Sequence, residues 1–179
     1  MRLSIVSMSS NTSTPPSVGF SEDKNSKFRR TMEDSTTYIK NFNSVQNQFY
    51  FGIFDGHAGK QMSDHCGNNL HKLVLNNLNS YKSLSDNLNK TFNDIDHNLN
   101  FNSGCTAVVS LIRYEDNNGN GFVNGNNDAE IAQNIGDVTS TTKFNESGTS
   151  NTSAITPPQE FKRRVLYTAN VGDARAVLW

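Results

Sequence analysis

The sequence predicts an α+β domain, and three observations lead there. Strand-like runs of β-branched and aromatic residues fall at 35–39, 49–54, 104–112 and 165–170. Helical periodicity is confined to 59–78 and 83–99, between the second and third of those runs. The apolar residues, 34% of the chain, gather in these segments while the connections are polar. Separate stretches of strand and helix are the pattern of an α+β chain.

The first strands form an expected hairpin. Ser35 to Ile39 and Phe49 to Phe54 flank Asn41 to Asn47, a polar, turn-like stretch. From Gly59 to about Leu78, the residues Met62, Leu70, Leu73, Val74 and Leu78 fit one helical face. Ser83 or Ser85 is a candidate cap for a second helix carrying Leu84, Leu88, Phe92, Ile95 and Leu99. Gly104 to Ile112 reads as a buried strand. Val165 to Asn170 is another, followed by a turn at Val171-Gly172-Asp173 and a last strand from Ala174 to Trp179. Two stretches stand outside this scheme. Residues 1–18 read as a disordered tail with a Pro15-Pro16 pair, and residues 115–163 as a low-complexity, disordered insertion. Residues 19–179 would then form one interrupted domain.

Composition narrows the function. A formal net charge of -1 and 18% charged residues exclude a basic nucleic-acid arm and a highly charged tail. No apolar run approaches the ~18 residues of a membrane span, and residues 1–19 lack a secretory h-region. Cys66 and Cys105 cannot make a disulfide framework, which fits a reducing compartment. The chain is expected in the cytoplasm or nucleus, not secreted, without membrane or nucleic-acid partners. About one residue in seven is Asn, so the sequons at Asn11, Asn89, Asn145 and Asn151 are chance products.

The chemistry concentrates at the hairpin. If Lys40 pairs with Gln48, Glu33 falls directly opposite Asp55 on the same face, with Cβ atoms about 5 Å apart. Two carboxylates that close repel unless a cation lies between them, and hard oxygen donors favour Mg2+ or Mn2+ over Zn2+. Two solvated acids at strand ends are the alternative. Gly56 leaves its carbonyl accessible. His57, two residues beyond Asp55, is positioned to give a proton to a leaving group, or else is a turn histidine bonding local backbone. Arg29 offers a planar fork suited to phosphate.

Four ordered motifs carry a resemblance: Arg29-Arg30-Thr31-Met32-Glu33-Asp34, Phe51 to Gly59, Ser103 to Ala107, and Ala169 to Arg175. Together they resemble the amino-terminal half of a type 2C, metal-dependent protein serine/threonine phosphatase, from about Gly19 to Trp179. Arg29-Arg30-Thr31, Cys66-Gly67 and Leu70-His71 further resemble fungal members that oppose stress-activated MAP kinase signalling. The resemblance implies an α-β-β-α layered β-sandwich, incomplete here, with a dinuclear Mg2+/Mn2+ site at one end. It also implies that Asp55 bridges the metals, Glu33 binds one, Gly56 lends its carbonyl, Arg29 holds the phosphate and His57 protonates the departing Ser or Thr oxygen. Asp34 would support this set from behind. Asp173 matches an acid linked to a weaker extra metal, or caps its turn. Phosphorylated proteins, stress-activated MAP kinases among them, would be the partners.

The family's carboxyl-terminal half should supply two more metal-binding aspartates, and neither Asp86-Asn87 nor Asp116-Asn117 fits their positions. The chain alone is therefore expected to be nearly or wholly inactive. A non-catalytic half-domain that docks phosphoproteins or kinases, and the product of a truncated reading frame, are the other readings. Neither cysteine begins a Cys-x5-Arg loop, so both read as core thiols. Gly52 to Lys60 has the wrong spacing for a P-loop. Asp116 to Gly121 begins like a calcium loop but has Asn127 where a bidentate Glu is needed. His65, His71 and His97 read as surface or packing histidines.

Overall fold

The computed structural model describes residues 2–7, 17–78, 83–97, 99–122, 156 and 163–178. In chain order these form β1 (Arg2–Ser7), β2 (Ser35–Lys40), β3 (Phe49–His57), α1 (Gln61–Leu78), α2 (Leu84–Asp96), β4 (Gly104–Glu115) and β5 (Arg163–Val171). The strands make one sheet in the order β1-β5-β4-β3-β2, antiparallel at every pairing. Both helices follow the β2–β3 hairpin, as an α+β chain requires. No helix of the described residues is long and apolar enough to cross a membrane.

Strand alternation divides the core between two faces. Tyr50 and Phe54 of β3, Ala107, Val109 and Leu111 of β4, and Val165, Tyr167 and Ala169 of β5 share one cluster with the helices. Helix α1 contributes Cys66, Leu70 and Val74, and buries Ser63, Gly67 and His71 along the same stripe. Helix α2 starts at Ser83, whose Oγ accepts from the Asp86 N–H at 3.1 Å. It buries Leu84, Asn87, Leu88, Thr91 and Ile95. Polar bonds join the helices: Asn87 Nδ2 donates to the Val74 carbonyl at 3.2 Å, and Asn77 Nδ2 to Thr91 Oγ1 at 3.1 Å. The opposite sheet face is aromatic. Tyr38 lies 5.3 Å from Phe51 and 6.4 Å from Phe49 between ring centroids, while Ile53 beside them is 49% exposed.

Several expectations need correction. Arg2–Ser7 is a strand, not part of a tail: it pairs from Arg2↔Asn170 to Ser7↔Val165 and covers an edge that β5 would otherwise leave open. Its short Leu3-Ser4-Ile5-Val6 run is masked in composition by the Ser, Thr and Asn that follow. Residues 8–16 lie outside the described ones. Glu115 ends β4 and Arg163 begins β5, so both belong to paired strands and not to the insertion. Beyond Glu115 a turn folds back through a Glu115↔Gly121 bridge. Residues 123–155 and 157–162, most of the expected insertion, lie outside the described ones. Ala174 to Leu178 form no strand. They have no strand partner among the described residues, and Val177 is 69% exposed.

The hairpin register is also one residue off. Lys40 pairs with Phe49, not Gln48. Phe42 and Val45 of the connection turn inward and are almost fully buried, which draws an extra residue into the loop. Asn41, Asn43, Ser44 and Asn47 take left-handed backbone, and the Asn47 N–H donates to Asn41 Oδ1 at 3.1 Å.

Candidate functional site

The corrected register rearranges the acids. Ser35 pairs with Phe54, so continuing the ladder by one residue sets Asp34, not Glu33, opposite Asp55. Asp34 Oδ1 accepts from the Gly56 N–H at 3.3 Å. Glu33 instead runs its backbone past Gly56: a Cβ there would lie 2.1 Å from the Glu33 carbonyl oxygen. Only glycine permits this approach. That carbonyl accepts a hydrogen bond from Ser63 Oγ in the first turn of α1, and Ser63 Oγ also lies 3.0 Å from the Lys60 carbonyl. The Glu33 carboxylate accepts from Thr31 Oγ1 at 3.1 Å.

Three further residues come to the same end of the sheet. His57 leaves β3 on the Asp55 face, exposed, with its ring against Gly104; a Cβ at that glycine would lie 2.6 Å from His57 Nε2. Gly172, at φ 86, lets the turn after β5 close on β4, where its own Cβ would meet Thr106 at 2.8 Å. This turn brings Asp173 toward Asp55. Arg29 sits in a turn, its N–H bonded to the Asn25 carbonyl at 3.0 Å.

Electrostatics reports the convergence. The Asp55 carboxyl titrates above its ordinary range, first through desolvation, then through the Asp34 and Asp173 carboxylates and the hydrogen bond that its protonated form can donate to Asp34; the Arg29 guanidinium pulls the other way. A surplus of negative charge held by fixed backbone is a fit for a hard divalent cation. Asp34 and Asp55, with the backbone at Gly56, are the groups that could hold one. Among the described residues no three His, Cys, Asp or Glu side chains converge on a single ion position. The donor chemistry fits, and the ligand set present is partial.

Ser63 was not singled out by sequence. Its signal is a hydroxyl in the first turn of the helix that follows Asp55-Gly56-His57. Two acids that do not fit the family positions are used locally. The Asp116 carboxylate is used within its own turn, accepting from the Asn118 and Asn120 N–H groups at 2.8 Å each and from Asn120 Nδ2 at 2.8 Å. Asp86 serves the α2 cap. His71 is a packing histidine, buried with its ring 6.0 Å from that of Tyr50.

The family model for Protein phosphatase 2C matches residues 18–116 and 113–179. The chain is 39% identical over 168 residues to "Protein phosphatase 2C homolog 1" of Saccharomyces cerevisiae, covering 90% of this chain and 48% of that protein. It is 32% identical over 167 residues to the Schizosaccharomyces pombe protein of the same name, covering 89% of this chain and 36% of the relative. "Probable protein phosphatase 2C 42" of Oryza sativa is 35% identical over 72 residues, 40% of this chain and 20% of the relative. The chain thus spans about half the length, or less, of these curated relatives. By the family match over most of its length, this chain belongs to the protein phosphatase 2C family.

Proposed function

We propose that the acidic end of the sheet is part of a metal-dependent phosphoserine/phosphothreonine hydrolase site. The observation that carries the reading is the register that sets Asp34 opposite Asp55, with Asp34 Oδ1 accepting from the Gly56 N–H; Asp173 and Arg29 act on the same carboxyl. Mg2+ or Mn2+, when bound, would supply charge neutralisation for the phosphoryl group and acidify a water. Asp34 and Asp55 would hold the cation from side chains, Gly56 and Glu33 from backbone or carboxylate oxygens, and Asp173 at a weaker outer position. Arg29 binds and orients the phosphate through its fork. His57, exposed on the same face, donates a proton to the departing Ser or Thr oxygen. Ser63 holds the Glu33 backbone, and through it the spacing between β2 and β3.

The aromatic face around Phe51 and Ile53 is where the second layer of an α-β-β-α sandwich would stack. Phosphoproteins are the proposed substrates, stress-activated MAP kinases among them, and the cytoplasm or nucleus the proposed compartment. Of the residues behind the kinase proposal, Cys66, Gly67, Leu70 and His71 all lie on the buried stripe of α1, so they speak for common packing; Arg29 to Thr31 alone are exposed enough to meet a partner.

Turnover by this chain is expected to be weak, because a partial carboxylate set under-neutralises two divalent ions. The test is Mn2+ titration of the purified chain by water-proton relaxation, alongside hydrolysis of a phosphothreonine peptide. Asp55→Asn should weaken Mn2+ binding at least about tenfold, and any hydrolysis should require Mn2+ or Mg2+. Unchanged Mn2+ binding in Asp55→Asn, or hydrolysis without a divalent ion, would defeat the reading.

A further inference from the structure

We propose that Cys66 and Cys105 form an oxidation site, closing to an intramolecular disulfide when a hydroperoxide reaches them. They are the chain's two cysteines and both are free thiols. One lies on α1 and the other on β4, 39 residues apart, yet their sulfurs are 3.8 Å from each other. A disulfide needs about 2.05 Å. The remaining gap is under ~2 Å, a distance that side-chain torsions and a small shift of helix against sheet cover.

Burial directs the chemistry inward. Cys66 is 3% exposed, so it is shielded from a thiol of another molecule, whereas Cys105 is only part-buried and open to a small oxidant. Cys105 gives up its proton and its sulfur attacks one peroxide oxygen. An S–O bond forms, the O–O bond breaks, and the leaving oxygen takes the proton to become water or the alcohol. The Cys66 sulfur then attacks the sulfenic sulfur. The S–S bond forms, the S–O bond breaks, and the departing hydroxide takes the Cys66 proton as water. Each sulfur loses one electron, and the peroxide accepts both. A reducing compartment returns the pair to thiols, the behaviour of transient redox pairs.

The position gives the cross-link a consequence. Cys105 is the β4 partner of Gly56. Cys66 lies one helical turn after Ser63, which holds the Glu33 carbonyl. Oxidation therefore ties α1 to β4 directly beneath the acidic end. The inference stands on the sulfur contact alone and is independent of the phosphatase reading.

The experiment treats the full chain with hydrogen peroxide, blocks residual thiols by alkylation, and measures intact mass and non-reducing peptide maps. The expected result is a monomer lighter by about 2 Da, with a linked Cys66–Cys105 peptide that dithiothreitol separates. In Cys66→Ser, Cys105 should instead stop at a sulfenic acid that dimedone captures. Should that variant fail to fold, the wild-type map decides. Two thiols still alkylated after peroxide, interchain dimers, or independent sulfinic acids would each overturn the proposal.

Discussion

The two ends of the sheet treat a carboxylate in opposite ways. At one end, Glu115 is 1% exposed and accepts four hydrogen bonds. Arg113 donates from Nε at 2.9 Å and Nη2 at 2.7 Å, Arg163 Nη2 at 3.0 Å, and the Tyr167 hydroxyl completes the set. The Arg113 guanidinium also lies 5.1 Å from the Tyr167 ring centre. At the other end, Asp55 is exposed, with acids for its nearest charged neighbours and Arg29 the cation acting against them. A buried carboxylate with donors on both oxygens is a structural device: it closes the β4–β5 pair at the root of the intervening segment. An exposed acid beside like charges is solvated by water and eased by Arg29, and it leaves room for a cation. The contrast separates a carboxylate that holds the fold from one that, under the proposed function, would hold a cation.

The comparison breaks most visibly at Glu115. Glu115→Ala leaves two guanidinium groups and a buried hydroxyl without their acceptor. It should cost about 4 kcal/mol in urea-denaturation experiments. A loss below about 1 kcal/mol would mean that the arginines simply turn to water.

His71 tests the same rule for a cation. Burial, then Lys72, pushes its pKa down to about 4, against a smaller upward pull from the Gly67 backbone. The unfolded chain takes up the proton from about pH 6.5. Because the native state resists that proton, stability falls as pH drops below 6.5 and the loss levels off near pH 4. The total is roughly 3 kcal/mol. Denaturation midpoints of the chain and of His71→Leu across this range should diverge as pH falls; parallel curves would show that His71 does not drive the change.

Next in size is Gly56→Ala. Its Cβ would meet the Glu33 carbonyl, so β2 must move away, at a cost of about 2 kcal/mol. The same shift separates Asp34 from Asp55, so Mn2+ binding should weaken alongside stability. A variant that loses stability yet keeps Mn2+ affinity would detach the acid pair from this strand spacing.

The smallest effect has the opposite sign to Glu115. Asp55 titrates above its ordinary range when folded, so the native state holds its proton longer than the unfolded chain does. The penalty is absent below the unfolded pKa and complete above the folded one. Asp55→Asn should therefore stabilise the apo chain near neutral pH, by no more than about 0.5 kcal/mol after solvent screening, and not at all well below the usual Asp range. Destabilisation at neutral pH would put Asp55 in the same class as Glu115.

What could be read in advance follows the range of the interactions. The β2–β3 hairpin, both helices and the Ser83 cap rest on neighbours a few residues apart, and each is visible as spacing. Asp55, Gly56 and His57 are consecutive at the end of β3, so their shared location could be read from the sequence, whereas Arg29 lies 26 residues earlier, before β2. The register was not. Whether Asp34 or Glu33 faces Asp55 depends on how many residues the 41–48 connection absorbs, and the burial of Phe42 and Val45 decides that. Glu115 gave no sign of its role, because its donors Arg163 and Tyr167 are brought to it only when β5 pairs with β4. Strand β1 was hidden for a like reason, since a short Leu-Ser-Ile-Val run becomes a strand only when an edge is offered.

The amino-acid order by itself determined the types of the central elements, β2 to β5 and both helices, the family and the residue types that concentrate at the acidic end, since these depend on local pattern. Only the tertiary structure decided which carboxylate stands beside Asp55, which acid is locked between arginines, and that two distant thiols touch. Those outcomes depend on strand register and on helix-to-sheet packing. A one-residue slip in strand register reverses the face every side chain of that strand presents, and a one-residue slip of a helix turns its stripe about 100° away from the sheet.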